Sequence, residues 1–175
     1  MKYANNQPPV TVPNKGKHML RQLQKAERMY GVTLHMPAEF PFQTFPAVGL
    51  LRAIQEKYPS RLECMIETCL HEIWHEGHHM LLREDLAILL QKHFRDDEAT
   101  ALLDRAFSKS MRQLLAHEAQ ALVDQGAFGF PWIMATRECD QKSMAIFGVE
   151  QLEYLAAFLH EPYLGPLATG VTPRL

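Results

Sequence analysis

The chain has 175 residues, 47% of them hydrophobic and 22% charged, which is enough apolar material for the core of one domain with or without a helical insertion. Its 18 Lys and Arg nearly balance its 20 Asp and Glu, so its charge gives no reason to expect a nucleic acid or an acidic membrane surface as partner. The chain has three cysteines, and an odd number argues against a disulfide framework. No apolar run approaches the ~20 residues that cross a bilayer.

The first half of the chain predicts a loop followed by helices. Residues 1–16 are rich in Pro and Asn without periodicity, which predicts a loop. Residues 17–30 have apolar side chains at helical spacing, and Gly31 follows as a helix-ending residue. Residues 45–58 predict a second helix, which Pro59 closes.

The middle of the chain is also helical in pattern. Ser60 and Glu63 have the spacing of a capping box, so a third helix should begin near Arg61 and end at Gly77. Further helices are predicted over 83–94, 97–107 and 110–125.

After Gly126 the pattern changes. Two short strands are predicted at 131–135 and 144–147, and a closing helix at 149–160. Two strands alone make a poor sheet, so a further strand should lie beside them, either from outside this sequence or from another chain.

The letters HEIWH match the HExxH pattern of zinc peptidases. On a helix His71 and His75 lie one turn apart and could share a metal, with Glu72 as the base that deprotonates its water. A catalytic zinc needs a third protein ligand, and the extended motif would require Gly and His where this chain has His78 and Leu81. The sequence therefore favours the interpretation that these histidines interact with the carbonyl groups at the C-terminal end of a helix. A zinc hydrolase is the least favoured function.

Three segments together carry a resemblance to a known family. They are GAFGFPWIM at 126–134, FGVEQLEYLAAFLHEPYLGP at 147–166 and NNQPPVTVPNKG at 5–16. They resemble kappa-class glutathione transferases, a branch of the thioredoxin-like disulfide-oxidase superfamily, and the resemblance extends over the whole chain from Met1 to Leu175.

The resemblance implies an α/β protein with a partial thioredoxin-like fold that is predominantly helical in this chain. In the family, a strand, a helix and a strand precede a helical insertion, and two strands and a helix follow it; this sequence corresponds to the part after the second strand. The implied organisation is a glutathione-side loop at 1–16, a helical insertion domain at 17–125 and the C-terminal half of the thioredoxin-like domain at 126–175.

The resemblance also implies where glutathione would bind. Pro131 should be the cis proline of the fold, leaving the main chain of Phe130 free to pair with the cysteinyl part of the tripeptide. Asn6 and Lys15 would hold its glycine end.

The γ-glutamyl end would lie at the start of the last helix, formed by Val149 and Glu150. The family usually has Ser, Asp and Arg at the positions of Val149, Glu150 and Gln151, so a hydroxyl and a guanidinium are absent here. This departure predicts weaker glutathione binding.

The family's catalytic serine follows the first strand and has no counterpart in this sequence. The serines of the chain are Ser60, Ser108, Ser110 and Ser143. The resemblance therefore implies a kappa-type glutathione transferase, for conjugation or peroxide reduction, with weak or no catalysis. Glutathione and a small electrophile would be its substrates, and no metal is implied.

Other functions remain open beside this one. A glutathione-dependent isomerase or a thiol–disulfide oxidoreductase of the same superfamily is one, and a non-catalytic glutathione-binding or dimerisation protein is another. A homodimer is expected, because a thioredoxin-like sheet without its central strand exposes apolar faces. Kinship implies a mitochondrial or peroxisomal location, otherwise a cytoplasmic one, and the terminal Pro-Arg-Leu resembles a peroxisomal ending.

Overall fold

The computed structural model describes residues 4–38, 40–80 and 82–165. Its elements, in chain order, are α1 (Pro13–Tyr30), α2 (Phe45–Lys57), α3 (Leu62–Trp74), α4 (Arg83–Gln91), α5 (Asp96–Phe107), α6 (Lys109–Asp124), β1 (Trp132–Thr136), β2 (Ser143–Phe147) and α7 (Leu152–Leu159). The predominantly helical α/β class is confirmed. None of the described helices is both long and apolar enough to cross a bilayer.

The chain folds into two compact units. One is formed by Thr33–Glu118, and the other combines Met1–Val32 with Ala119–Leu175. The domain limits expected after residues 16 and 125 stay predictions, and the terminal Pro-Arg-Leu lies outside the described residues.

The unit of residues 33–118 is a helical bundle with one continuous apolar core. Its largest fully buried side chains are Leu50, Ile54, Met65, Leu86, Leu89, Leu90, Leu102 and Met111. Helices α2 and α5 approach closely at Gly49, where an added Cβ would lie 3.0 Å from the carbonyl oxygen of Ala106. The same two helices are joined at their surface by the Arg105 guanidinium, which donates to both carboxylate oxygens of Glu56 at 2.8 and 2.9 Å.

The other unit contains α1, the β1–β2 hairpin and α7. The strands pair antiparallel with Trp132 opposite Phe147 and Thr136 opposite Ser143. The turn between them is held by Arg137, which donates to Asp140 at 2.6 Å and to the carbonyl oxygen of Phe158 at 2.8 Å. The hairpin is thereby connected to the end of α7.

Two local expectations were wrong. Helix α1 begins at Pro13, so residues 13–16 are helical rather than loop; proline suits the first turn of a helix because its φ is already helical and its missing N–H would have no partner there. The capping box at Ser60 does not form, because Pro59–Arg61 folds as a 3-10 turn and α3 starts only at Leu62.

Helix α3 buries Met65, Cys69 and Ile73 and leaves Ile66 and Leu70 exposed. One further expectation needs a small correction. The closing helix opens with a 3-10 turn over Val149–Gln151, and α7 itself begins at Leu152.

Candidate functional site

The loop that enters β1 has main-chain groups without hydrogen-bond partners among the described residues. The peptide bond between Phe130 and Pro131 is cis, as the family resemblance implied. The Phe130 side chain is 71% exposed. Among the described residues, neither its N–H nor its carbonyl oxygen has a hydrogen-bond partner. A peptide backbone could therefore pair with it in β fashion.

The turn before α7 lies beside this loop. The Gly148 N–H donates to the Pro131 carbonyl oxygen at 3.0 Å. Gly148 has φ +88°, and a Cβ there would collide with the carboxylate of Glu150, which folds back over the glycine. Val149 is 59% exposed between them. The structure thus brings together four predicted site residues, Phe130, Pro131, Val149 and Glu150.

Asn6 is tied to the same loop from the start of the chain. Its Nδ2 donates to the carbonyl oxygen of Phe128 at 2.7 Å, and its Oδ1 accepts the N–H of Gln7 at 2.8 Å. Both polar atoms of the side chain are thus engaged within the protein. Asn6 lies near the candidate site, where it holds the backbone of the loop two residues before Phe130.

Lys15 occupies a different position. It lies in the first turn of α1, where it lines an open depression with Pro9, Asn14, His18 and Met19. No contact joins it to Phe130 or Glu150 among the described residues. Its expected role at the glycine end of glutathione stays a prediction.

An aromatic cluster that sequence reasoning missed supports the loop. The ring of Phe128 lies 4.6 Å from that of Phe147 and 5.8 Å from that of Trp132, measured between centroids. Gly129 packs against the Phe147 ring so closely that a Cβ would lie 2.8 Å from it. The indole N–H of Trp132 is buried without a hydrogen-bond partner in the described structure. The spacing of the aromatic residues in GAFGFPW could have predicted part of this cluster. The strand register was needed to show that Phe147 also belongs to it.

The serines of the chain are engaged elsewhere. Ser60 lies in the 3-10 turn before α3. The Ser108 Oγ caps α6 by accepting the N–H of Met111 at 3.0 Å, and Ser110 accepts a hydrogen bond from Arg105. Ser143 bonds to the hydroxyl of Thr136 at 2.8 Å. None of them belongs to the loop at 128–131 or the turn at 148–150.

All three cysteines lie among the described residues, and none of them forms a disulfide. Cys64, Cys69 and Cys139 are all free thiols. Burial, assisted by the negative charge of Glu72, raises the pKa of the Cys69 thiol to about 11, so it is unreactive at neutral pH.

The HExxH residues do not form the arrangement of a peptidase. His71 in the last turn of α3 and His75 directly after the helix are exposed. The Glu72 carboxylate bonds to His78 at 2.8 Å and to Lys92 at 3.2 Å. The hydrogen bond from His78, helped by Lys92, lowers the pKa of Glu72. Glu72 is therefore held as an ion-paired carboxylate, away from the ligand atoms of His71 and His75.

Comparison with known proteins defines the class. The model of the DSBA-like thioredoxin domain matches residues 1–160, and the chain belongs to this family. Among curated proteins it is similar to glutathione S-transferase kappa 1 of Rattus norvegicus, 26% identical, and of Homo sapiens, 25% identical, in each case with all of this chain and 79% of the relative covered. Glutathione S-transferase kappa 2 of Caenorhabditis elegans is 24% identical, covering 91% of this chain and 72% of that protein.

A solved structure shows the same fold. That of a 2-hydroxychromene-2-carboxylate isomerase superposes with a TM-score of 0.69 at 16% identity, covering 89% of this chain and 71% of the isomerase. The resemblance to kappa-class transferases stated from the sequence is thus confirmed, and so is the thioredoxin-like fold class.

Proposed function

We propose that this chain binds glutathione at the Phe130 main chain and the Gly148–Glu150 turn, and that it is a kappa-type glutathione transferase with weak or no catalysis. The observation that carries the proposal is the 3.0 Å hydrogen bond between the Gly148 N–H and the Pro131 carbonyl oxygen. It holds an unpaired peptide segment beside a carboxylate, and a tripeptide with a free ammonium group complements both.

Each part of the site has a chemical counterpart in glutathione. The free N–H and carbonyl of Phe130 suit the cysteinyl backbone, in a contact that is indifferent to side chains. The Glu150 carboxylate suits the ammonium of the γ-glutamyl group, through a charge-assisted hydrogen bond. Val149 and Gln151 provide neither the hydroxyl nor the guanidinium usual in the family, so we expect affinity below that of typical relatives.

We expect weak catalysis because of the side chains near the proposed position of the glutathione thiol. A transferase must lower the pKa of the glutathione thiol, which a hydroxyl donor or a positive group does by stabilising the thiolate. Among the described residues, the aromatic rings of Phe128, Trp132 and Phe147 pack together at this loop, and they carry neither a hydroxyl nor a positive charge. The chain would therefore hold glutathione better than it activates it.

Calorimetric titration with glutathione tests binding. Glu150→Gln should lower the affinity by roughly tenfold or more, since hydrogen bonds to charged groups contribute about 1.5–3 kcal/mol. Glu153→Gln is the matched control, because it removes an equivalent charge in the first turn of α7. Equal affinities of wild type and Glu150→Gln would refute the site, and rapid conjugation of a chlorinated aromatic by the wild type would refute the weak catalysis.

A glutathione-dependent isomerase is the second candidate. It is favoured by the fold shared with the hydroxychromene carboxylate isomerase, a likeness that concerns the backbone alone. Glutathione-stimulated isomerisation of a hydroxychromene carboxylate, without conjugation of electrophiles, would select it.

We also propose a homodimer and a mitochondrial or peroxisomal location. The dimer is supported by apolar side chains exposed around the hairpin and α7, with Met134 at 53% and Tyr154 at 67%. Light scattering after gel filtration should give twice the monomer mass. The location rests on kinship, and microscopy of the tagged protein tests it.

A further inference from the structure

A compact group of metal-binding side chains stands at the C-terminal end of α3. The Nε2 atoms of His71 and His75 each lie 3.9 Å from Oε1 of Glu76. The two imidazole rings are 4.5 Å apart between centroids, and one ligand atom from each of the three residues lies within 4.8 Å of the others.

The end of the helix brings the third residue into this group. His71 and His75 share a helix face because they are four residues apart. The backbone N–H of Glu76 donates to the carbonyl oxygen of His71 at 3.1 Å, so the chain wraps back over the last turn before leaving through Gly77 at φ +72°. Glu76 is therefore directed toward both histidines.

A neighbouring segment holds this helix end in place. The backbone N–H of His35 donates to the carbonyl oxygen of Trp74 at 2.6 Å, and its Nδ1–H donates to the carbonyl oxygen of His75. Both contacts bind carbonyl groups that a helix terminus leaves without internal partners. The metal-binding group is thus built on an anchored turn.

The separations suit a bound ion better than direct hydrogen bonds. At 3.9 Å the carboxylate is too far from either imidazole for a hydrogen bond. Tetrahedral zinc with bonds of about 2.0–2.2 Å places its ligand atoms roughly 3.4 Å apart, so the carboxylate oxygen would approach each imidazole by about half an ångström. The three ligand atoms lie within 4.8 Å of one another, so no pair would need to approach by more than about 1.5 Å. The side chains are 57%, 46% and 44% exposed for His71, His75 and Glu76, so they are free to make this movement.

We propose that His71, His75 and Glu76 form a binding site for a divalent transition metal ion of the zinc class. Two imidazoles and one carboxylate are a donor set that such ions prefer, with the remaining position open to water. The site differs from the HExxH arrangement, because Glu76 provides the third ligand and Glu72 is held by His78 and Lys92. Because Glu72 is engaged by those two partners, the role that we assign to this site is metal binding.

Titration of the intact chain tests the site. Zn²⁺ binding is measured by calorimetry, and Co²⁺ binding by the visible absorption that tetrahedral coordination produces. His71→Ala, His75→Ala and Glu76→Gln should each lower the affinity at least about tenfold, because even the loss of a residue that only orients a ligand costs about 10–100-fold. His78→Ala and His117→Ala are the controls, one near the same helix end and one remote in sequence, and should leave affinity unchanged.

Two results would overturn the proposal. If His78→Ala weakens binding as much as His71→Ala, or if the triple variant retains wild-type affinity, the protein binds an adventitious ion only. Far-UV circular dichroism of each variant verifies the fold, which these exposed substitutions should preserve.

Discussion

The side-chain amide of Asn6 donates a 2.7 Å hydrogen bond to the carbonyl oxygen of Phe128, which lies 122 positions later in the chain. This contact joins the Pro-rich segment before α1 to the loop that enters β1. Because the loop continues directly into Phe130 and Pro131, the position of the proposed glutathione-binding main chain depends in part on Asn6.

Asn6→Ala should therefore affect both stability and binding. Loss of one such hydrogen bond should lower the free energy of unfolding by about 0.5–1.5 kcal/mol, and the released loop should bind glutathione less tightly. Urea unfolding and calorimetric titration measure the two effects. Gln7→Ala is the control, since only the backbone of Gln7 contacts Asn6; equal behaviour of both variants would contradict this role.

Gly129→Ala should disturb the same loop by overpacking. The new methyl group would lie 2.8 Å from the Phe147 ring, which is already packed against Phe128. We expect a loss of about 1–3 kcal/mol in unfolding free energy together with weaker glutathione binding.

A second substitution tests whether contact with the Phe147 ring causes the effect of Gly129→Ala. Phe147→Leu in the Gly129→Ala background removes the ring that the methyl group meets. If the steric explanation is correct, the Gly129→Ala effect should be smaller in this background than in wild type. An unchanged effect would contradict the steric explanation.

The stability of the helical bundle should depend on the ionisation of Glu56. Hydrogen bonding from Arg105, supported by the charge of Arg52, lowers the pKa of Glu56 below its ordinary value of 4.5. A lowered folded-state pKa contributes stability that is present above the unfolded-state pKa and is lost as the pH falls through the folded-state pKa.

Glu56→Gln should consequently cost about 1 kcal/mol at neutral pH, a modest value because the pair is partly exposed. The difference from wild type should shrink as the pH falls below 4.5. Urea unfolding at a series of pH values checks this. A constant Glu56→Gln deficit at all pH values would contradict the role of ionisation.

The thiols should react in two classes. Cys64 and Cys139 are exposed, whereas Cys69 is 3% exposed with its pKa raised to about 11 by burial. A chromogenic disulfide reagent at pH 8 should therefore titrate two thiols rapidly in the folded protein and the third only after addition of denaturant. Rapid reaction of all three, or loss of the fast phase in Cys69→Ser, would contradict the burial of Cys69.

The sequence predicted the structure correctly where it depends on neighbouring residues or where the chain shares a motif with a known family. The helix limits agree to within a few residues because apolar spacing and Gly31 act over a single turn. It failed at Ser60, where the motif for a capping box competes with a proline-directed 3-10 turn one residue earlier. It also missed Glu76, because its proximity to His71 arises from the way the chain leaves α3 and not from regular helical spacing.

The sequence by itself determined the helical pattern, the two strands and the family, since periodicity and short motifs are written in neighbouring residues. Only the tertiary structure decided that Asn6 meets Phe128, that Gly148 meets Pro131 and that Glu72 faces His78 and Lys92. The physical reason is that such contacts depend on the path of the folded backbone, which brings together groups far apart in the chain and fixes the direction of each side chain.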